Sequence, residues 1–291
     1  MTEKDIDIYI ELPERRYLEA WRMFKGNKAA VLGLCMWGMI IFIALFGSLI
    51  YQVDPFELVG EPMTAPDSEY LFGTDYLGRD VLAGIIHGAR VTLIIGFSAT
   101  LCTVIIGVIV GVLAGYYGRW IDNLLMRITE FFQVLPALLL AMVLVTLFSP
   151  SILTLIFAIG VVSWTAVARL TRAEFLKIKE QEYIMAERAI GASNLRIIWK
   201  VILPNSLPPL IVATALTVGV AILFEAAISF MGLGDPNMYS WGYMIGSSRD
   251  YIWDTWWAVT FPGMAIFFTV LSISLIGDGL NDAFNPKLRL R

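Results

Sequence analysis

The sequence predicts an all-α membrane protein of six transmembrane helices, with N and C termini in the cytoplasm and a cytoplasmic helical hairpin joining the fourth and fifth spans. Three observations carry this. Apolar residues make up 58% of the 291-residue chain and charged ones 16%, and the mean hydropathy is +0.72, far from the balance of soluble domains. Six apolar stretches reach, or nearly reach, the roughly 20 helical residues needed to cross a hydrocarbon core. Of the 21 Lys and Arg residues, only Arg79, Arg90 and Arg249 fall outside when both termini are placed inside, the asymmetry expected of cytoplasmic loops.

Taken in order, residues 1–28 mix acids and bases and carry a weak amphipathic pattern in Tyr17, Leu18, Trp21 and Phe24, which suits a helix lying on the inner membrane surface. The first span is expected at 29–51. It starts too late and runs too long for a cleaved signal peptide and should anchor the chain. An exterior loop over 52–90 holds Pro55, Pro62 and Pro66 and ends in LFGTDYLGRD, whose glycines and aspartates favour turns and caps. A loop this long calls for an ordered excursion.

The five-span core is expected over 91–280. Its first span, Val91 to Tyr117, carries Gly107, Gly111 and Gly115 at intervals of four, a spacing that lets another helix approach closely. Static packing is the simpler use; a sliding interface is the alternative. Two short spans follow, Phe131 to Phe148 and Ile152 to Ala168, split by Ser149-Pro150-Ser151.

The cytoplasmic loop at about 169–206 holds the hairpin, Glu182 to Asn205, in which Leu195, Ile198, Trp199 and Ile202 recur at the spacing of one helix face. Gly191 is expected to end its first helix, Ser193 to cap the second and Pro204 to stop it. Two short helices tied to spans at both ends could pass a push from a soluble partner into the bilayer.

In the next span, Leu207 to Met231, Glu225 is the one deep acidic residue. A carboxylate there must pair, protonate or face the bundle interior, as a hydrogen-bonded structural group or as a contact for a cationic substrate group. Trp241, Tyr243, Trp253, Trp256 and Trp257 lie in the second exterior excursion and suit an interfacial belt or a contact surface for an outside partner. The last span, Trp256 to Ile276, leads through GDGLND to a cytoplasmic tail at 281–291.

Chemistry is conspicuously sparse. No GxxxxGK[ST] phosphate loop occurs, so ATP hydrolysis by this chain alone is not expected. His87 is the single histidine, without the companions a metal site requires. Cys35 and Cys102 both sit inside apolar spans and suit small core residues. No catalytic residue and no metal site is expected, and nothing suggests nucleic-acid binding.

These motifs together resemble the second permease subunit of bacterial and archaeal dipeptide, oligopeptide and nickel ABC importers, over nearly the whole chain. The hairpin is similar to the EAA loop of importer permeases at Gly191, Leu203 and Pro204, with Val201 at its Ile position and Met185-Ala186-Glu187 in place of EAA. GTDYLGRD (Gly73, Thr74, Asp75, Gly78, Arg79, Asp80), FEAAISFMGLG from Phe224 and IGDGLNDAFNP from Ile276 resemble further signatures of the same subfamily.

The resemblance implies a multi-pass protein of a prokaryotic inner membrane, set among membrane lipid. Its implied partners are a second homologous permease, two cytoplasmic ABC ATPase subunits and an extracytoplasmic solute-binding protein. ATP and Mg belong to the ATPases and no cofactor to this chain. The residues implied in coupling are Arg188, Ala189, Gly191, Ala192, Ser193, Leu195, Arg196, Ile198 and Trp199. Peptides are the default cargo, with nickel, metal chelates or other small solutes left open. A self-contained secondary transporter or channel is the competing class. It fits less well because the chain has no evident internal repeat and only one deep carboxylate.

Overall fold

A computed structural model describes residues 21–284. The tail beyond 284 and the amphipathic pattern before Trp21 lie outside the described residues. Residues 21–26 are helical, and Phe24 is buried against the last helix, packed with Ala30 and Ala283.

Beyond this segment, and apart from a single 3-10 turn at Arg249–Tyr251, nine helices order the described chain: α1 Lys28–Ile50, α2 Val81–Tyr117, α3 Arg119–Val134, α4 Ala137–Phe148, α5 Ile152–Lys179, α6 Glu182–Ala189, α7 Asn194–Leu233, α8 Trp241–Ser248 and α9 Trp256–Phe284. Five are long and apolar enough to span a membrane, and six if the bent pair α3–α4 counts as one. At the N-cap of α1, Asn27 Oδ1 accepts from Ala29 and Ala30 N–H while its Nδ2 donates to Asp282 Oδ2 at 3.0 Å. The GDGLND segment thus ties the end of α9 to the start of α1.

Several helices run past the apolar stretches that mark them. The helix of the second span begins at Val81, ten residues before Val91, because Asp80 caps it by accepting from Leu82 N–H at 2.8 Å. Its first turns carry His87 and Arg90, which hid them from a hydropathy reading. Similarly α5 continues from Ala168 to Lys179, the extra turns projecting beyond the apolar run.

Helices α2 and α5 cross in close contact. A Cβ added to Gly107 would lie 2.6 Å from Val167 Cβ, and one on Gly115 2.7 Å from Phe175 Cβ, while Gly111 faces Thr171 with still less room. From the other side Gly160 receives Cys102. The four-residue glycine ladder is therefore a packed seam, and such density leaves no slack for sliding.

Between Arg119 and Phe148 the structure departs from a simple span. Gly118, at φ +64°, turns the chain directly from α2 into α3, and α3 meets α4 at 88° across Leu135-Pro136. Proline removes a backbone donor and disfavours helix in the residue before it, so the third span is broken. Gly111→Leu is expected to destabilise the fold by about 2 kcal/mol or more, lowering the melting temperature in detergent. Gly38→Leu, whose added side chain starts in open space, should leave it unchanged.

Candidate functional site

The hairpin rests on a small core of its own at one end of the bundle. Ile184 of α6 and Ile197, Ile198 and Ile202 of α7 are buried together with Tyr116 of α2 and Phe175 and Ile178 of α5. Tyr116 is the hub. Its hydroxyl donates to Asn194 Oδ1 at 2.7 Å, its carbonyl accepts from Lys179 Nζ at 2.5 Å, and Lys179 and Arg188 each stand 5.8 Å from its ring centroid. Burial first, then the charge of nearby Arg188, holds the Lys179 ammonium below its ordinary pKa. None of these hub contacts was singled out in the sequence; the Tyr-Tyr pair ending an apolar run was the available signal.

Gly191 makes the turn at φ +81°, with nothing near its Cα that a side chain would strike. Its requirement is conformational, since left-handed backbone is open to glycine at no steric cost. Ser193 caps the second helix, its Oγ accepting from Arg196 N–H at 3.4 Å. These two expectations hold.

Two others need correction. Leu195, Ile198, Trp199 and Ile202 do not share a buried face: Ile198 and Ile202 point inward with Ile197, whereas Leu195 and Trp199 are 66% and 64% exposed. A π-helical segment over Ile197–Ile202, closed by Leu203 N–H donating to Ile198 O, widens the turn and shifts the 3.6-residue register, which brings Ile202 to the side of Ile197 and Ile198. Nor does Pro204 stop the helix. The carbonyls around it find other donors, Asn205 Nδ2 to Val201 O at 2.7 Å and Ser206 Oγ to Leu203 O at 2.8 Å, and the chain runs on as one 40-residue helix from Asn194 to Leu233. The second hairpin helix and the fifth span are one rod.

At its far end the rod is clasped by α8. A Cβ on Gly242 would lie 2.6 Å from Ala226 Cα, and one on Gly246 2.9 Å from Phe230 Cα. Trp241 Nε1 donates to Ile85 O at 2.9 Å and its N–H to Thr92 Oγ1 at 3.2 Å, linking α8 to α2. Trp241 and Trp257 are buried and only Trp253 and Trp256 stand well exposed, so these aromatics form the core of a cap more than a belt.

The GTDYLGRD segment lies inside that cap. Thr74, Asp75 and Asp80 are buried, and Gly73 and Gly78 take φ +73° and +87°. Thr74 O accepts from Trp257 Nε1 at 2.9 Å, Asp75 Oδ1 accepts from the N–H groups of Leu77 and Arg79 at 2.8 and 2.9 Å, and Asp80 accepts from the Tyr51 hydroxyl. Arg79 lies over the Phe56 ring. Burial pushes the Asp75 carboxyl above the usual range although these N–H donors, with the Arg79 charge, pull it down.

Comparison with known proteins fits this arrangement. Residues 107–290 match the profile of the binding-protein-dependent transport system inner membrane component, and residues 17–68 that of the N-terminal TM domain of oligopeptide transport permease C. The chain belongs to the first family. It is thus a membrane permease subunit of the binding-protein-dependent ABC importer class, as the sequence resemblance implied. Among its relatives, the di/tripeptide transport system permease protein DppC of Pseudomonas aeruginosa is 41% identical over 279 residues, 93% of this chain and 92% of that one. The dipeptide transport system permease protein DppC of Alkalihalophilus pseudofirmus is 42% identical over 273 residues (93% and 90%), and that of Escherichia coli 40% over 297 (99% of each). A chain of the inward-facing MetNI methionine ABC transporter superposes with a TM-score of 0.55 at 25% identity, covering 67% of this chain and 93% of that one. The fold is therefore that of an ABC importer permease.

Within this permease, Glu225 is fully enclosed by its own subunit. Its Oε1 accepts from Ser229 Oγ at 2.8 Å and its Oε2 has no partner among the described residues. Glu225→Gln keeps the acceptor and is expected to change the melting temperature little, whereas Glu225→Ala leaves Ser229 unpaired and should cost about 1–3 kcal/mol. Thermal unfolding of the purified permease distinguishes the two.

Proposed function

We propose that this permease builds, with a second homologous permease, two cytoplasmic ATPases and an extracytoplasmic solute-binding protein, an importer for di- or oligopeptides. The peptide assignment draws on the relatives named as dipeptide and di/tripeptide permeases. In this arrangement ATP and Mg belong to the ATPases, and the chain itself contributes binding and motion without catalytic residues.

The observation that carries the coupling role is the exposed tip of the hairpin. Ile190 is 77% and Met185 57% exposed, with Leu195 beside them, and Arg188, Ala189, Ser193 and Arg196 are exposed around these apolar side chains. Apolar anchors ringed by polar groups are what a stable protein contact uses. Ile198, turned inward, seats the hairpin and does not touch the partner. Closure of the ATPase pair pushes the tip, and the push enters α7 without an intervening joint. The rod carries it to α8 and the exterior cap, opening the path outward; hydrolysis allows the return.

Gly191→Ile in the complete importer forces a β-branched residue into left-handed backbone, at about 1–2 kcal/mol, and should lower labelled-dipeptide uptake several-fold while ATP hydrolysis continues. Unchanged uptake would remove the turn from the coupling path. Ile190→Asp should reduce co-purification of the ATPases, and nickel uptake without dipeptide uptake would reassign the cargo.

A further inference from the structure

The face of α3 that the coupling argument leaves unused is polar. Thr129, Glu130 and Gln133, together with Asp122, line one side of a cavity of about 390 Å³ whose other wall is Arg169 and Arg172 of α5. The opposite side of α3 is apolar and exposed, carrying Trp120, Leu124 and Phe131. Sixteen residues thus divide cleanly into two faces, the pattern of a helix between an apolar and an aqueous surrounding.

The two arginines are held differently. Arg172 is neutralised by a bidentate pair with Asp122, Nε to Oδ1 at 2.5 Å and Nη2 to Oδ2 at 2.6 Å. Arg169 meets a neutral partner: with its amide turned to face the guanidinium, Gln133 Oε1 accepts from Nε at 3.1 Å and Nη2 at 3.2 Å. Among the described residues no carboxylate lies within ion-pair distance of Arg169. The cavity therefore presents, from its α5 wall, one oriented guanidinium whose charge is not cancelled, and from its α3 wall Glu130, one turn from the Gln133 that holds that guanidinium.

Depth, polar lining and the nearby break in the backbone suit this cavity to hold water. The 12 residues of α4 reach about 18 Å at 1.5 Å per residue, against a hydrocarbon core of about 30 Å, so the break at Leu135-Pro136 sits within the bilayer. No side chain caps the start of α4, and the residue that follows α3, Leu135, has no polar group to cap it. Pro136 and Val134 are exposed on this subunit. Interrupted backbone at membrane depth is tolerated where it is buried in protein or lines a water-filled cavity, and broken spans mark such places in transporters.

We infer that Arg169, oriented by Gln133, and Glu130 form a low-affinity site for the two charged ends of a dipeptide in a water-filled vestibule of the transport path. This rests on the peptide reading above. Arg169 takes the peptide carboxylate, for which a guanidinium fork is suited, and Glu130 takes the amino group. Gln133, to which the Arg169 guanidinium is hydrogen-bonded, lies one turn from Glu130 on α3, about 5–6 Å between Cβ atoms, so both charged groups face the one cavity within the span of an extended dipeptide, about 7 Å at about 3.5 Å per residue. A passage site must release what it binds, so weak binding is part of its fitness.

The test uses the complete importer in liposomes, with Cys35 and Cys102 replaced by Ala and a single reporter, Asn123→Cys, on the cavity wall. A water-soluble maleimide is expected to label the reporter, and alanyl-alanine to protect it. Arg169→Gln should leave labelling intact but raise the alanyl-alanine concentration for half-protection about tenfold. The C-terminal amide of the dipeptide, lacking the carboxylate, should protect weakly and equally in both. Absence of labelling means a dry face and overturns the inference. Labelling without protection, in liposomes that import alanyl-alanine, overturns the site and leaves the peptide reading standing. If those liposomes import no alanyl-alanine, peptide reading and site fall together.

Discussion

The close crossing of α2 and α5 is the contact on which the rest of the permease depends. Gly107, Gly111 and Gly115 let α2 lie against Val167, Thr171 and Phe175 with no side chain between. Backbones that approach this closely gain dispersion contacts along the whole seam, the main attraction available between helices in lipid. The crossing also fixes Tyr116 beside Phe175 and Ile178, and it is on this platform that the hairpin sits. A looser crossing would leave the hairpin without a floor.

From that platform one helix runs the length of the molecule. Its π-helical segment at Ile197–Ile202 turns three isoleucines toward Tyr116 and accommodates the proline that follows, while a second such segment over Ser229–Leu233 ends at Gly232, φ +81°, under the exterior cap. Widened turns are frequent at functional places in helices. Here they sit at both ends of the stretch a mechanical signal would travel, where the helix meets the hairpin core and where it meets α8.

The exterior cap shows how a signature segment can matter without meeting substrate. GTDYLGRD supplies a helix cap through Asp80, two left-handed turns at Gly73 and Gly78, and carbonyl and carboxylate acceptors for buried donors such as Trp257 Nε1. Buried donors need such partners, so the segment ties the start of α2 to the end of α1 and the start of α9.

The sequence alone determined the class of architecture, because apolar length, charge sidedness and capping chemistry are local properties. Five of the six spans, the Gly191 turn and the Ser193 cap were legible, while the third span proved broken at Leu135-Pro136. What it missed was decided by contacts distant in sequence. His87 and Arg90 concealed the start of α2 until Asp80 was seen to cap it. Leu195 and Trp199 looked buried until Ile197, Ile198 and Ile202 were seen to take the inward side, and Pro204 looked like an end until Asn205 and Ser206 took up the backbone groups around it. Likewise Trp241 is enclosed because α8 folds back over α2, and Trp257 because Gly73 and Thr74 of the exterior loop lie against it. Hydrophobic periodicity assumes a fixed number of residues per turn and records no partner for a polar atom; the tertiary structure changes the first and supplies the second.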